Sequence, residues 1–205
     1  MTRHTVCVFG GTGFVGRALA ARLMQVGHDV RIPTRRLDRH KDLLVLPTVS
    51  LRPGDVYDPG FIRQVVAGCD AVINLVGVLN EGRGVSFAAA HVALPEKIVA
   101  ACQEQGVPRL LHMSALNAAV SAPSRYLRTK AAGEEVVRAS DLNVTIFRPS
   151  VIFGPHDGFL NRFAKLLRLS PGVFPLACPD ARFQPVYVED VARAFVQALD
   201  AYRTH

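Results

Sequence analysis

Residues 8–16 read V-F-G-G-T-G-F-V-G, four glycines in nine positions. They follow the apolar run T-V-C-V-F (5–9) and precede F-V-G-R-A-L-A-A-R-L-M (14–24), whose apolar spacing is helical. Glycine gives up more conformational freedom than any other residue on entering regular structure, so such a cluster marks a turn with special demands. Gly10, Gly13 and Gly16 stand as G-x-x-G-x-x-G at a strand-to-helix junction. In that setting the first permits a tight turn, the second lets a pyrophosphate approach the backbone, and the third lets helix and strand pack closely. The helix that follows offers unbonded N–H groups and a partial positive charge to an anion.

The remaining chain repeats the strand-helix alternation. Strands are predicted at D-V-R-I-P-T, T-V-S-L-R, A-V-I-N-L-V, R-L-L-H-M-S and N-V-T-I-F-R. Helices are predicted at F-I-R-Q-V-V-A, at V-A-L-P-E-K-I-V-A-A-C-Q-E-Q ending on Gly106, and at R-Y-L-R-T-K-A-A-G-E-E-V-V-R-A. Nearly continuous apolar strands are those buried on both faces, which predicts an α/β, doubly wound parallel sheet of the Rossmann kind. After Arg148 the residues Pro149, Gly154, Pro155, Pro171, Pro175, Pro179 and Pro185 break the chain into short pieces, with helices expected only at F-L-N-R-F-A-K-L-L-R-L and E-D-V-A-R-A-F-V-Q-A-L. The expected division is therefore a nucleotide-binding domain over 1–148. Residues 149–205 would add the last core elements and the start of a small cap over the carboxyl ends of the strands, where ligands bind in such sheets.

With 205 residues, 49% of them hydrophobic, one globular domain with an ample core is expected. No apolar run reaches the roughly 20 residues of a membrane span. The N-terminus runs almost at once into the first strand, from which a cytoplasmic and bacterial location is expected, with peripheral membrane association open. The net charge of +7 comes from 20 Arg and 4 Lys, but they are scattered and no aromatic stripe accompanies them. A solvated basic surface is expected, and no nucleic-acid partner. Cys7, Cys69, Cys102 and Cys178 form no C-x-x-C, so neither a disulfide scaffold nor a metal site is expected.

Two clusters carry chemistry. At the end of the second strand, where an NAD site commonly places an acidic residue, the chain reads T-R-R-L-D-R. Guanidinium groups at Arg35 and Arg36 suit a 2′-phosphate, so NADP(H) is favoured over NAD(H), with Asp38 keeping NAD open. Tyr126 and Lys130, in Y-L-R-T-K, lie one helical turn apart on one face. An ammonium there would lower the tyrosine pKa and suit it to general acid or base work at a carbonyl, with Ser114 supplying a second hydroxyl.

G-G-T-G-F-V-G, the Tyr126/Lys130 pair, R-P-S-V-I-F-G-P and Q-P-V-Y-V-E-D-V-A together resemble the extended, atypical short-chain dehydrogenase/reductase superfamily. The chain is most similar to the branch that holds nucleoside-diphosphate-sugar epimerase-like proteins and the nucleotide-binding accessory subunit of respiratory complex I. The resemblance implies that Gly10, Gly11, Thr12, Gly13, Phe14, Val15 and Gly16 hold the pyrophosphate, and Arg35 and Arg36 the adenosine ribose. It places Asp55 and Val56 beside the adenine, Leu75, Val76 and Gly77 beneath the cofactor, and Pro149, Ser150 and Val151 near the nicotinamide. Ser114, Tyr126 and Lys130 would be the catalytic group, Lys130 also holding the cofactor ribose. It implies either an oxidoreductase or epimerase-like enzyme acting on an unnamed small molecule, or a non-catalytic nucleotide-binding subunit of a larger assembly. A homodimer or a respiratory complex is the implied partner, and the C-terminal cap is implied to be incomplete.

Several residues have plainer readings. His91, standing where extended members carry Asn, is expected on a helix surface or packed under the cofactor, with a proton shuttle as the alternative. His112 is expected to be a hydrogen-bonded core residue, and His156 and Asp157 to form a turn. The stripe Phe159, Phe163, Leu166 and Leu167 is expected to pack its helix on the core, with a membrane or partner surface as the alternative. Glu189 and Asp190 are expected at the start of the last helix.

Overall fold

The computed structural model describes residues 3–82, 84–158, 160–169, 172 and 180–201. Six strands form one wholly parallel sheet in the order β3-β2-β1-β4-β5-β6: β1 Thr5–Phe9, β2 Asp29–Thr34, β3 Val49–Pro53, β4 Ala71–Asn74, β5 Arg109–Met113 and β6 Asn143–Phe147. The reversal of strand order between β1 and β4 creates the crevice in which such sheets bind ligands, at the carboxyl ends of the strands. Helices α1 Phe14–Gln25, α2 Pro59–Val66, α3 Leu94–Gln105 and α4 Arg125–Arg138 make the crossovers. Each falls where the apolar spacing predicts it. Helix α3 stops at Gly106, which takes the left-handed conformation at φ +66°, as glycine at a helix C-terminus commonly does.

The apolar strands are continuous because each serves two cores. Along β1, Val6 and Val8 point to a cluster with Leu19 and Leu23 of α1, while Cys7 and Phe9 point to the opposite cluster with Ile62 of α2 and Ile98 of α3. Cys7, Cys69 and Cys102 are free and buried, as expected; Cys178 lies outside the described residues.

Beyond β6 a two-stranded parallel ladder joins β7 Ile152–Phe153 to β8 Val186–Tyr187, and between them stands α5 Leu160–Leu169. Asp157 caps α5, its Oδ1 accepting from the Leu160 N–H at 2.6 Å, and His156 beside it takes φ +69°, so this pair does form a turn. The final helix, α6 Val188–Ala201, carries Glu189 and Asp190 in its first turn. It returns to the first core, where Phe195 stacks on Phe147 with ring centroids 3.8 Å apart. Among the described residues the expected packing of the α5 stripe on the core is not found. Leu160, Phe163, Leu166 and Leu167 keep 36–56% of their surface, and Phe159 is outside the described residues.

Candidate functional site

The glycine turn is dictated by close backbone contact. Gly10 sits at φ +79°, a region that side chains with a Cβ rarely enter, and turns the chain beneath the backbone of Leu75 and Val76. A Cβ on Gly16 would lie 2.3 Å from the Gly10 oxygen and 2.5 Å from the Gly11 Cα, so α1 presses on the turn with no room for a methyl. A Cβ on Gly11 would strike the Ile32 side chain at 2.8 Å. Gly13 differs: a Cβ there would have one neighbour within 4 Å, the Gly10 oxygen at 3.2 Å, and its outer side is open. Gly13 is the N-cap of α1 and offers no side chain to the first turn, which has no acidic residue either. The N–H groups of Phe14, Val15 and Gly16 therefore lack an intrahelical acceptor. Such a cradle fits a diphosphate. Phe14 and Val15 turn their side chains to the core, so they bring backbone only.

An open groove of about 640 Å³ starts at Gly10, Thr12 and Gly13. One arm runs past Thr34, Arg35, Arg36, His40, Val56 and Tyr57, the other past Leu75, Val76, Gly77 and Val78 toward Asn80. None of its described lining residues is acidic. Arg35 and Arg36 are exposed on its rim. Burial raises the pKa of the Tyr57 hydroxyl, and the Arg35 charge opposes that rise. Asp38 lies outside the groove, 91% exposed in its side chain and 3.7 Å from the Lys41 ammonium. Two short 3-10 segments, Leu37–Arg39 and Lys41–Val45, flank the arm, and the second is pinned to α1 by the Arg17–Asp42 ion pair, with Arg17 Nη2 3.2 Å from Nδ1 of the intervening His40. Burial and the Arg17 charge lower the His40 pKa. Val56 lines the groove, whereas Asp55 is exposed and accepts the Tyr57 N–H at 3.1 Å, which shapes the turn. Leu75 is fixed by its N–H to Phe9 O at 2.9 Å and Val76 by its N–H to Asn74 Oδ1 at 3.1 Å.

The far end is buried and titratable. Lys130 is 3% exposed and its Nζ donates to Met113 O at 2.6 Å. The same Nζ lies 3.9 Å, and His91 Nε2 3.7 Å, from where a Cβ on Gly77 would stand, so both side chains back this stretch of the groove at ordinary contact distance. Burial lowers the Lys130 pKa to about 8, against the opposing charge of Glu134. Tyr126 is half-buried, and burial raises its pKa. The lowering expected from a neighbouring ammonium is absent because Lys130 is directed at the Met113 carbonyl and desolvation dominates the phenol. Ser114 is buried just after β5, close enough to Glu134 to help lower that carboxyl's pKa, but its Oγ makes no hydrogen bond of normal geometry among the described residues.

Glu134 is fully buried. Its carboxylate accepts from Arg148 Nε at 2.8 Å, from Arg148 Nη2, and from Arg138 Nη2 at 3.0 Å. Burial pushes its pKa up, but Arg148, Ser114 and Arg138 outweigh that and hold it below the ordinary carboxylate value. Pro149, Ser150 and Val151 follow Arg148 and are half-buried, and none of them lines the groove. Pro149 O accepts from Leu116 N at 2.8 Å and Val151 O from Val186 N at 3.0 Å, which ties the end of β6 to the turn after β5 and to β8.

His91 is not on a helix surface. It is 1% exposed, within a π-helical turn at Ala89–Ala93, between the Leu75–Val78 loop and α4. His112 is a core residue held at Nδ1 by Asn74 Nδ2 at 3.2 Å, but its Nε2 has no hydrogen-bond partner among the described residues. Burial and the Lys130 charge lower its pKa to about 3. Sequence reasoning passed over Glu134, Thr129, Tyr57 and His40. For Glu134 a signal was present: Y-x-x-x-K-x-x-x-E puts an acid on the same helical face as Tyr126 and Lys130.

Comparison with known proteins matches the geometry. The model of the NAD dependent epimerase/dehydratase family matches residues 6–205. Among curated proteins, subunit 9 of the NADH dehydrogenase [ubiquinone] 1 alpha subcomplex, mitochondrial, from Arabidopsis thaliana is 40% identical over 198 residues, covering 94% of this chain and 49% of that protein. Its Mus musculus counterpart is 39% identical over 197 residues, covering 93% and 52%. A ceramide reductase of Caulobacter vibrioides is 30% identical over 197 residues, covering 95% and 60%. Among solved structures, the Bordetella bronchiseptica enzyme WbmH in complex with NAD+ superimposes with a TM-score of 0.77 at 22% identity, covering 97% of this chain and 73% of that one. The chain spans about half the length of its plant and mouse relatives. The bacterial cytoplasmic location expected from the sequence is overturned by these relatives, which are mitochondrial by name. That expectation rested on how soon β1 begins, which says nothing of location in a chain spanning half of its relatives. Among the described residues no helix is long and apolar enough to cross a membrane. With a doubly wound sheet, a glycine cradle at its switch point and a family model that matches nearly end to end, this chain belongs to the NAD dependent epimerase/dehydratase family.

Proposed function

We propose that the chain binds a nicotinamide dinucleotide in the 640 Å³ groove, NADP(H) ahead of NAD(H), and serves as a reductase or epimerase-like enzyme on a small carbonyl or carbinol substrate. One observation carries this reading: a glycine cradle fit for a diphosphate opens onto a groove with no acidic residue in its described lining, and behind the Gly77 wall of that groove the buried Lys130 ammonium lies 3.9 Å from where a Cβ on Gly77 would stand. Gly10–Gly16 would hold the pyrophosphate. Arg35, Arg36 and Tyr57 would flank the adenosine, and Leu75–Gly77 would pass beneath the nicotinamide side. Bound there, the cofactor supplies or accepts a hydride at a substrate carbon. Tyr126 would give its hydroxyl proton to a carbonyl oxygen, or take one from a carbinol, and Lys130, one helical turn away with a pKa of about 8, would resupply that proton once its ammonium leaves Met113 O. Residues 1–148 would supply the cofactor side, and 149–205 the substrate side.

The NADP(H) preference is supported by the rim. Thr34 ends β2, the two guanidiniums follow it, and Asp38 lies outside the groove beside Lys41. A 2′-phosphate suits paired guanidiniums, whereas a ribose 2′-hydroxyl is commonly held by a carboxylate at this place. A second reading, a nucleotide-binding subunit without catalysis, is favoured by the Lys130 ammonium bonding to Met113 O, by Ser114 lying buried close to Glu134, and by the complex I subunits among the relatives. Its partner would be a respiratory assembly.

Titration with NADPH and NADH, on the wild type and on Arg35→Ala/Arg36→Ala, tests the cofactor. NADPH should bind more tightly, and the double variant should lose about 10-fold or more of that affinity while NADH binding changes little. Equal affinities would remove the NADP preference, and binding of neither would remove the cofactor. Turnover that Tyr126→Phe lowers roughly 100-fold or more would select the enzyme. Tight binding without turnover, together with co-isolation with respiratory-complex subunits, would select the second reading.

A further inference from the structure

Both ring nitrogens of His91 are committed. Nε2 lies 3.1 Å from the Val78 backbone nitrogen, and Nδ1 lies 2.9 Å from Thr129 Oγ1. A backbone N–H only donates, so Nε2 must be the bare acceptor, and the neutral ring then carries its proton on Nδ1. That proton goes to Thr129 Oγ1, whose own hydroxyl donates within α4 to the carbonyls of Arg125 and Tyr126, each at 2.9 Å. The donors thus run one way, from the loop through the ring into the helix. Phe87 stacks on the imidazole at 5.4 Å and 19°, and the Tyr126 ring meets it edge-on at 5.4 Å and 85°. The His91 carbonyl lies only 2.0 Å from where a Cβ on Gly133 would stand, so the π-turn and α4 touch backbone to backbone.

We propose that His91 is a positioning residue. As a neutral Nδ1–H imidazole, it holds the Leu75–Val78 loop and the Tyr126 ring in register, and it carries no proton in the reaction. The inference rests on the cofactor reading of the groove, because the loop it holds is the one that would pass beneath the nicotinamide. A proton on Nε2 would oppose the Val78 N–H donor to donor, so a charged ring and the present loop exclude each other. The titratable groups around the ring are Lys130 and Tyr126 from α4 and His112 from β5. Burial and the Lys130 charge hold the pKa of His91 to about 4, leaving it uncharged across the working range. A proton shuttle needs a nitrogen free to face substrate or water, and here both are engaged.

Long-range ¹H–¹⁵N NMR on the protein without cofactor, from pH 5.5 to 8.5, tests this directly. The expected result is one Nδ1–H tautomer of His91 that does not titrate. An Nε2–H tautomer, or a midpoint inside that range, would overturn the proposal. In His91→Phe the ring remains but the acceptor is gone, so the Val78 amide should exchange roughly 10-fold faster or more. His91→Gln, with an amide oxygen to accept the Val78 N–H, should restore part of that protection. Unchanged protection in His91→Phe would also overturn the proposal, and if that variant fails to fold, the wild-type tautomer alone decides. None of these readouts needs a cofactor, so failed NADPH binding sinks the functional reading while leaving His91 as a clamp to be judged by NMR.

Discussion

At the head of the groove seven consecutive residues, Gly10–Gly16, make the whole cradle, whereas the far end, a buried cluster behind Gly77, assembles His91, Met113 and the α4 residues Tyr126, Lys130 and Glu134 from three separate segments. The head presents backbone N–H groups and exposed guanidiniums on a turn whose shape follows from hard-sphere contacts. The far end presents buried titratable groups whose state follows from desolvation and from partners distant in the chain. A turn fixed by local sterics is preformed but breaks when a methyl is added. A cluster fixed by burial, though packed as tightly where Gly133 meets His91, also responds to pH.

The largest expected effect tests the steric half of that contrast. In Gly16→Ala the new Cβ meets the Gly10 oxygen at 2.3 Å, and because that neighbour is backbone it cannot swing aside. Urea denaturation should show a loss of roughly 3 kcal/mol or more, the upper range for overpacking. Gly13→Ala adds the same methyl at an open site, where it meets one oxygen at 3.2 Å. Its stability should change by less than about 1 kcal/mol, while NADPH binding falls because the methyl stands in the cradle. Equal destabilisation by both would break the distinction between a packing glycine and a cradle glycine.

The next effect tests the far end. The Lys130 pKa is depressed to about 8 in the folded chain, against about 10.4 unfolded. Between those values the unfolded state binds more protons, so this group makes stability rise with pH across that window. Below pH 8 the penalty for burying its charge is fully present; above 10.4 it is gone. Lys130→Met lacks the group. Wild type should therefore gain roughly 1–3 kcal/mol relative to Lys130→Met between pH 7 and pH 10, read from paired denaturation curves. Comparing the two pH values removes the fixed effect of losing the bond to Met113 O. A constant difference would mean that the ammonium is solvated, and that the far end is no more buried than the head.

The same contrast explains what the sequence disclosed. The strands were legible because both faces of β1 and β4 are buried, leaving apolar runs with no alternation. The cradle was legible because its causes lie within seven residues. His91 was not: A-A-H-V-A holds no breaker, and the π-turn appears where Gly133 lets α4 touch its backbone. The Tyr126/Lys130 spacing placed both residues on one helix, but spacing carries no dielectric, so the tyrosine pKa was expected to fall and burial raises it. The grip of Glu134 on Arg148 joins α4 to the residue after β6, a contact with no local signature. The stripe on α5 was read as core, yet amphipathic spacing names a face without naming what covers it.

The smallest expected effect separates the two ends by salt. Arg35 and Arg36 stand exposed, so their attraction for a phosphate is screened once the Debye length falls from roughly 10 Å at 0.1 M toward 3 Å at 1 M. NADPH affinity should fall several-fold between 0.05 and 0.5 M NaCl, and NADH affinity should fall less. At the far end Glu134 is buried, though Arg148 keeps 45% of its side chain in solvent, so the pair is screened only in part. Glu134→Gln should lose roughly 1–2 kcal/mol, a charged hydrogen bond discounted for that exposure, with little change over the same salt range. A salt-sensitive Glu134 effect would place the far end in the same dielectric as the rim. A salt-insensitive NADPH affinity would mean that the guanidiniums take no part in binding, and the glycine cradle would then be the main source of affinity at the head of the groove.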